Sequence, residues 1–184
     1  MKIHQFKKAL AFIRFLIIKL FLNKSGGVNF IYSNVSIVKK NKIYLGKKNI
    51  INSNACLIVD PGQNTQTIKM GNNNVIASSA ILKTHGGYIK IGSNNFVGER
   101  TQIQGRGGIE IGNNVLIAAN VFISSSNHDF QNPNSVDYLK KEVPKKIQIN
   151  KNVWIGANSV IIAGIHIAKY AIVAAGSVVT KDVE

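Results

Sequence analysis

Between Trp154 and Thr180 the aliphatic residues Ile155, Ile161, Ile167, Val173 and Val179 recur every six positions without a miss. A helix repeats every 3.6 residues and a strand every two, so a strict six requires short extended segments joined by regular bends. Repeats of this kind signal a parallel β-helix whose coils stack on one another. Small residues stand four places after the aliphatic ones, at Ser159, Ala171 and Ser177, where a crowded corner leaves little room. Followed backwards, the rungs group in threes: Leu45, Ile51, Leu57; Met70, Ile76, Leu82; Ile91, Val97, Ile103; Ile111, Ile117, Ile123; Ile149, Ile155, Ile161; and Ile167, Val173, Val179. Ile31 and Ile37 open the ladder with an incomplete coil, which predicts about six coils in all.

Each interruption of the period follows a third rung, as after Leu57, Leu82, Ile103 and Ile123, so the insertions leave one corner of a triangular prism. Coils stack at about one inter-strand spacing, ~4.8 Å, and residues at equal offsets therefore form columns. Asn49, Asn74 and Asn95 are such a column and predict a structural amide ladder. Asp60, His85 and Arg106, each three residues past a third rung, predict a polar edge at the insertion corner. Taken singly they read as solvated corner residues; as a set they point along a groove.

Residues 3–22 contain no Gly or Pro and read as the chain's α-helix, ended by Ser25, Gly26 and Gly27. The chain thus divides into an N-terminal basic, apolar segment, 1–25, and a single β-helical domain, 26–184. The apolar runs of the helix are interrupted by Arg14 and Lys19 and fall far short of the roughly 20 residues a membrane span needs. The same two charges, and the lack of a small-x-small cleavage site before Gly26, argue against a secretory signal. On a helical wheel the basic residues share one broad side, into which Ala11, Phe15 and Ile18 intrude, so the helix is more apolar than its own domain requires. Two readings stand: packing against a partner subunit, or lying in a membrane interface through residues 3–22.

A hydrophobic content of 45% in 184 residues supports one core. The single cysteine, Cys56, excludes an internal disulfide framework and fits a reducing compartment such as the cytoplasm. Against 8 acidic residues stand 23 basic ones, a net charge of +15 that favours anionic partners. Nucleic acid ranks last among these, because the basic residues are spread along turns and no aromatic platform accompanies them.

The largest insertion, 124–148, carries the best candidate for chemistry, His128 in the run SSSNHDF. An imidazole can take a proton from an attacking hydroxyl near neutral pH and return it to a leaving group. Asn127 and Asp129 flank it as candidate substrate contacts, Asp129 being either an orienting partner or a turn residue. Glu99 and Arg100, one coil earlier, are further candidates for contacting an acceptor. A β-helical zinc site would need three converging histidines, whereas His4, His85, His128 and His166 are scattered, so no metal is expected.

The run IGANSVIIAGIHIAKYAIVAAGSVVTKDV resembles the closing coils of the hexapeptide-repeat acyltransferases, and SSSNHDF resembles the catalytic loop of the sugar O-acetyltransferases in that superfamily. The resemblance implies a left-handed β-helix and transfer of acetyl from acetyl-CoA to a sugar hydroxyl, with His128 as base and no acyl-enzyme. It also implies that Trp154 walls the cleft where pantetheine meets acceptor. Gly156, Ala157, Ala163, Gly164, Ala174 and Ala175 would let the pantetheine arm lie against the coils, and Thr180 and Lys181 would meet phosphates and adenine. A homotrimer with sites between subunits is the expected assembly. Combined with the N-terminal helix, the resemblance leads to an expectation of work on a bacterial surface polysaccharide, capsule or O-antigen, at the inner membrane face. A non-catalytic β-helical scaffold is the rival reading.

Overall fold

A computed structural model describes residues 2–22, 24–60, 66–129 and 142–184. The hexad period resolves into three parallel seven-stranded sheets, one per face of a triangular left-handed β-helix. The first face runs from Lys24–Ser25 to His166–Ile167, the second from Phe30–Ile31 to Ile172–Val173, and the third from Ser36–Val38 to Val178–Val179. Neighbouring coils are in register: Ile123, for instance, pairs with Ile103 on one side and Ile161 on the other. The eighteen rungs predicted from Leu45 to Val179 are all buried, each contributing roughly 2–3 kcal/mol of apolar transfer. A second inward set, Ile43, Ile68, Ile89, Ile109 and Ile147, sits two residues before the first rung of its coil and fills the core beside the insertion corner.

The described residues form seven coils, against about six expected from the period. Lys24–Ser25 completes the opening one by pairing with Tyr44 and Leu45. That strand carries no aliphatic residue, so periodicity could not reveal it; its register rests on backbone bonds such as Gly26 N–H to the Leu45 carbonyl, 2.8 Å. The helix, α1, spans Lys2–Lys19, and the three residues beyond it turn, with Leu22 N–H reaching the Lys19 carbonyl. It lies across Phe30–Ile31, and its Phe15, with Leu22 of the following turn, enters the same core as the first coil.

The predicted amide ladder is present and one coil longer. Asn29, Asn49, Asn74 and Asn95 are buried, and each Oδ1 accepts the backbone N–H of the equivalent residue in the next coil, ending at Val115. Asn49 and Asn74 also donate to the carbonyls of Gly71 and Gly92. The glycines at this corner are required by the stacking: a Cβ on Gly71 would stand 2.7 Å from the Gly92 carbonyl oxygen. A second, exposed ladder runs Asn73, Asn94, Asn114, Asn152, all at positive φ, where a short amide side chain tolerates the left-handed turn.

As predicted, the insertions leave from one corner, between the third face and the first. The long one is more ordered at its roots than a plain loop. Ser126–His128 and Glu142–Pro144 form an antiparallel hairpin with His128 opposite Glu142, the first face resumes at Ile147, and residues 130–141 lie outside the described residues. The returning chain is tied to the prism by Lys146, whose Nζ lies 2.8 Å from Glu110 Oε2. That ammonium, with Lys90 at 3.0 Å and the Tyr88 hydroxyl adding to it, holds the Glu110 carboxyl down to about 2, against the pull of partial burial.

Two outcomes follow for stability. Asn74→Ala leaves the buried Asn95 N–H without its acceptor and removes the amide donor to Asn49 Oδ1 and the Gly92 carbonyl, and should cost about 2–4 kcal/mol in chemical denaturation; Asn152→Ala, on the exposed ladder, should cost less than about 1 kcal/mol. Because the folded-state pKa of Glu110 is depressed, its contribution is present above its ordinary value of about 4.5 and fades as pH falls toward 2. The stability difference between wild type and Glu110→Gln should therefore be largest near neutrality and shrink between those limits in a pH series of thermal melts.

Candidate active site

Three serines build the root of the hairpin, each with a separate task. Ser124 closes the third-face strand and donates through Oγ to the Ser126 carbonyl, 3.1 Å. Ser125 is buried and bonds in three directions: its Oγ accepts Gly107 N–H and donates to the Gln104 carbonyl, and its own carbonyl accepts Lys145 N–H. Ser126 donates to Glu142 Oε2, 2.9 Å, and Arg106 Nε meets the same oxygen at 3.1 Å. Glu142 thus joins both hairpin strands to the corner of the prism and sets where His128, two residues after Ser126, can stand.

His128 is exposed at the rim of an open groove of about 620 Å³. The groove runs over the third face: Gln104, Phe122, Ser124, Val160 and Ile162 form its floor, and Ser126, Asn127, His128 and Glu142 its wall. This size falls within the ordinary range for small-ligand sites. Of the predicted residues, His128 and Asn127 line it directly. Asp129 follows His128, half-buried.

The predicted corner column is a connected set. Asp60 Oδ2 accepts the backbone N–H of His85 at 2.6 Å, and Lys83 Nζ lies 3.6 Å from Asp60 Oδ1. Burial and the Lys83 charge push the His85 imidazole below its usual value, with Asp60 and Glu142 opposing and Arg106 adding to the decrease. Arg106 then carries the column to Glu142 and the hairpin. None of the three lines the groove; they stand behind it.

Other predicted residues lie elsewhere in a single chain. Glu99 and Arg100 occupy the opposite edge of the third face, where Arg100 Nε donates to Asn120 Oδ1 at 2.8 Å. Trp154 is on the second face and 49% exposed, so within one chain it does not wall the cleft of His128. It belongs instead to a stripe of outward apolar residues, one per coil: Phe96, Leu116, Trp154 and Ile172. The small residues expected along pantetheine divide between two corners. Gly156 and Ala157 sit beside Ala174 and Ala175 at the second-to-third corner, where a Cβ on Gly156 would lie 2.4 Å from Ala175 N. Ala163 and Gly164 are at the insertion corner, under the aliphatic stem of Lys145. Thr180 and Lys181 follow the last third-face strand and are exposed. Among the described residues, no group of three or more His, Cys, Asp or Glu side chains could hold a metal ion.

Gln104, Ser124 and Ile162 escaped the sequence reading, yet each is the residue after a third-face rung, and the six-residue arithmetic contains them. Glu142 has no such signal; only the hairpin brings it to Arg106.

The chain matches two family profiles: bacterial transferase hexapeptide (six repeats) over residues 146–181, and hexapeptide repeat of succinyl-transferase over 88–125. It is 31% identical over 153 residues to a putative acetyltransferase of Saccharomyces cerevisiae, covering 81% of this chain and 74% of that protein. Galactoside O-acetyltransferases of Lactococcus lactis and Escherichia coli are 39% identical over 77 residues and 36% over 100, matches that span only 35% and 48% of their own lengths and 41% and 54% of this chain. In solved structures, a variant of AntD, an N-acyltransferase from Bacillus cereus, superposes with a TM-score of 0.64 at 22% identity over 92% of this chain and 79% of that one, and so shares the fold. Repeat, fold and the relative matched over most of both chains agree: this chain belongs to the hexapeptide-repeat acetyltransferase family.

Proposed function

We propose that the chain transfers acetyl from acetyl-CoA to a sugar hydroxyl, with His128 as general base. The observation that carries this is the placing of an exposed imidazole on a tethered hairpin, at the rim of a groove with both polar and apolar lining. The imidazole takes the proton of the acceptor hydroxyl as its oxygen attacks the thioester carbonyl. Collapse of the tetrahedral intermediate breaks the C–S bond, and the imidazolium returns the proton to the departing thiolate. Gln104, Ser124 and Asn127 offer amide and hydroxyl groups to a sugar, and Phe122, Val160 and Ile162 offer an apolar strip to its ring face or to the pantetheine arm. The galactoside O-acetyltransferases among the relatives support a sugar acceptor. We place that acceptor in bacterial surface polysaccharide synthesis, because the basic, apolar N-terminal segment suits work beside a membrane at its cytoplasmic face.

The working form in this reading is a homotrimer. The groove of a single chain is open on one side, and the second face leaves Phe96, Leu116, Trp154 and Ile172 exposed in one stripe. A neighbouring copy would cover that stripe and bring Trp154 toward the His128 groove of the next chain.

His128→Ala should fold as wild type, since the side chain is exposed, and should lower thiol release from acetyl-CoA with a sugar panel by roughly 10²–10⁴-fold. Wild-type turnover in that variant would remove His128 from the mechanism, and no thiol release from the wild type with any sugar would favour a scaffold. Light scattering should give a mass three times the 20.1 kDa chain, reduced by Leu116→Glu; a monomeric wild type would overturn the assembly.

A further inference from the structure

The N-terminal end of the prism has a surface that the transfer reaction does not use. Helix α1 buries Ala11 and Phe15 against the first coil, joined by Leu22 from the turn after it, with Phe12 and Ile18 packed at the margin. These positions recur at the spacing of one helical stripe. On the opposite side Phe6, Ile13, Ile17 and Leu20 form a second apolar stripe, exposed by 66, 51, 60 and 81%. The basic residues lie between the two stripes, on both flanks of the helix, rather than together on the one broad side the helical wheel suggested. Lys7 and Arg14 flank one side, while Lys8 Nζ stacks 5.1 Å from the Phe30 ring near the prism. At the end of the helix, Lys40 Nζ stands 4.9 Å from the centre of the exposed Phe21 ring.

Charge is segregated in the same direction. Eleven of the 23 Lys and Arg residues, and none of the eight Asp and Glu, precede Asp60. Lys39, Lys47 and Lys48, at the turns of the first two coils, are exposed along with Lys7, Lys8 and Lys19. A protein partner would have to be both apolar and acidic over this area. A bilayer with anionic headgroups has that chemistry throughout, with hydrocarbon just below the charge.

We propose that α1 and the basic end of the prism are a docking surface for an anionic lipid bilayer, with Phe6, Ile13, Ile17 and Leu20 entering the interface and the flanking lysines and Arg14 meeting headgroups. The helix lies in the surface rather than crossing it: among the described residues no helix is long and apolar enough to span a membrane. Docking of α1 on a bilayer is independent of acetyl transfer and is measured as binding rather than turnover.

The test is flotation of the full-length protein with vesicles of phosphatidylcholine alone or of phosphatidylcholine with phosphatidylglycerol, at low and raised salt. Wild type should float with the anionic vesicles at low salt, weaken several-fold as salt is raised, and stay at the bottom with phosphatidylcholine alone. Lys7→Gln with Arg14→Gln should weaken binding by about fivefold for each charge removed. Ile13→Ser with Ile17→Ser and Leu20→Ser, all outside the core, should melt as wild type and lose about tenfold or more. Wild type that fails to float, or a triple-serine variant that floats equally well, would overturn the proposal. If wild type fails to float and the triple-serine variant loses oligomer mass in light scattering, the stripe is instead a contact between copies of the chain.

Discussion

Every coil of this molecule hands its backbone hydrogen bonds to the next, and that one requirement makes the six-residue period obligatory. Rung pairs such as Ile103–Ile123–Ile161 stay aligned only if each coil closes in the same number of residues, or carries its surplus out at a corner where no bond is broken. A side chain that turned inward one residue out of step would exchange the core and solvent faces of its strand. The buried asparagines serve the same requirement at the bends, where backbone N–H groups have no strand partner: each amide oxygen takes the one presented by the coil above.

The candidate site is a consequence of where surplus chain can leave. All insertions depart between the third face and the first, so their polar residues accumulate on one edge, and the longest carries His128 over the third-face strands. What converts that loop into a positioned side chain is a set of short bonds at its roots. Ser125 stitches it to the coil beneath, Glu142 links Ser126 to Arg106, and Lys146 pairs with Glu110 on re-entry. The column from Asp60 through His85 to Arg106 lies behind this anchor, giving these corner residues a supporting place next to the groove rather than a place within it.

The three faces differ in what they show to solvent, although they are built by the same rule. The first displays Lys69, Lys90 and Glu110, the third holds the groove, and the second presents its apolar stripe. Inward rung positions are apolar in every coil from Leu45 onward. Outward ones are free to differ, and they are where binding and assembly are written.

The inward pattern could be read from the sequence because burial acts on single residues at a constant interval. Ile155 to Val179, the common exit corner and the asparagine column all follow from counting. Counting also reaches Gln104, Ser124 and Ile162, each one step past a rung. It misses Lys24–Ser25, a strand held by backbone bonds without an aliphatic residue, and hence the seventh coil. It misses Glu142 as well, because a hairpin inside an insertion has no period to betray it. Tertiary structure alone decided that Trp154 faces away from His128 in one chain, that Arg100 and Arg106 lie at opposite edges of the third face, and that α1 has two apolar stripes. The physical reason is the same in each case. A repeat specifies distance along the chain and hence which residues face inward, whereas contacts among outward side chains depend on which corner and which face the bends assign them to, and only the closed coil determines that.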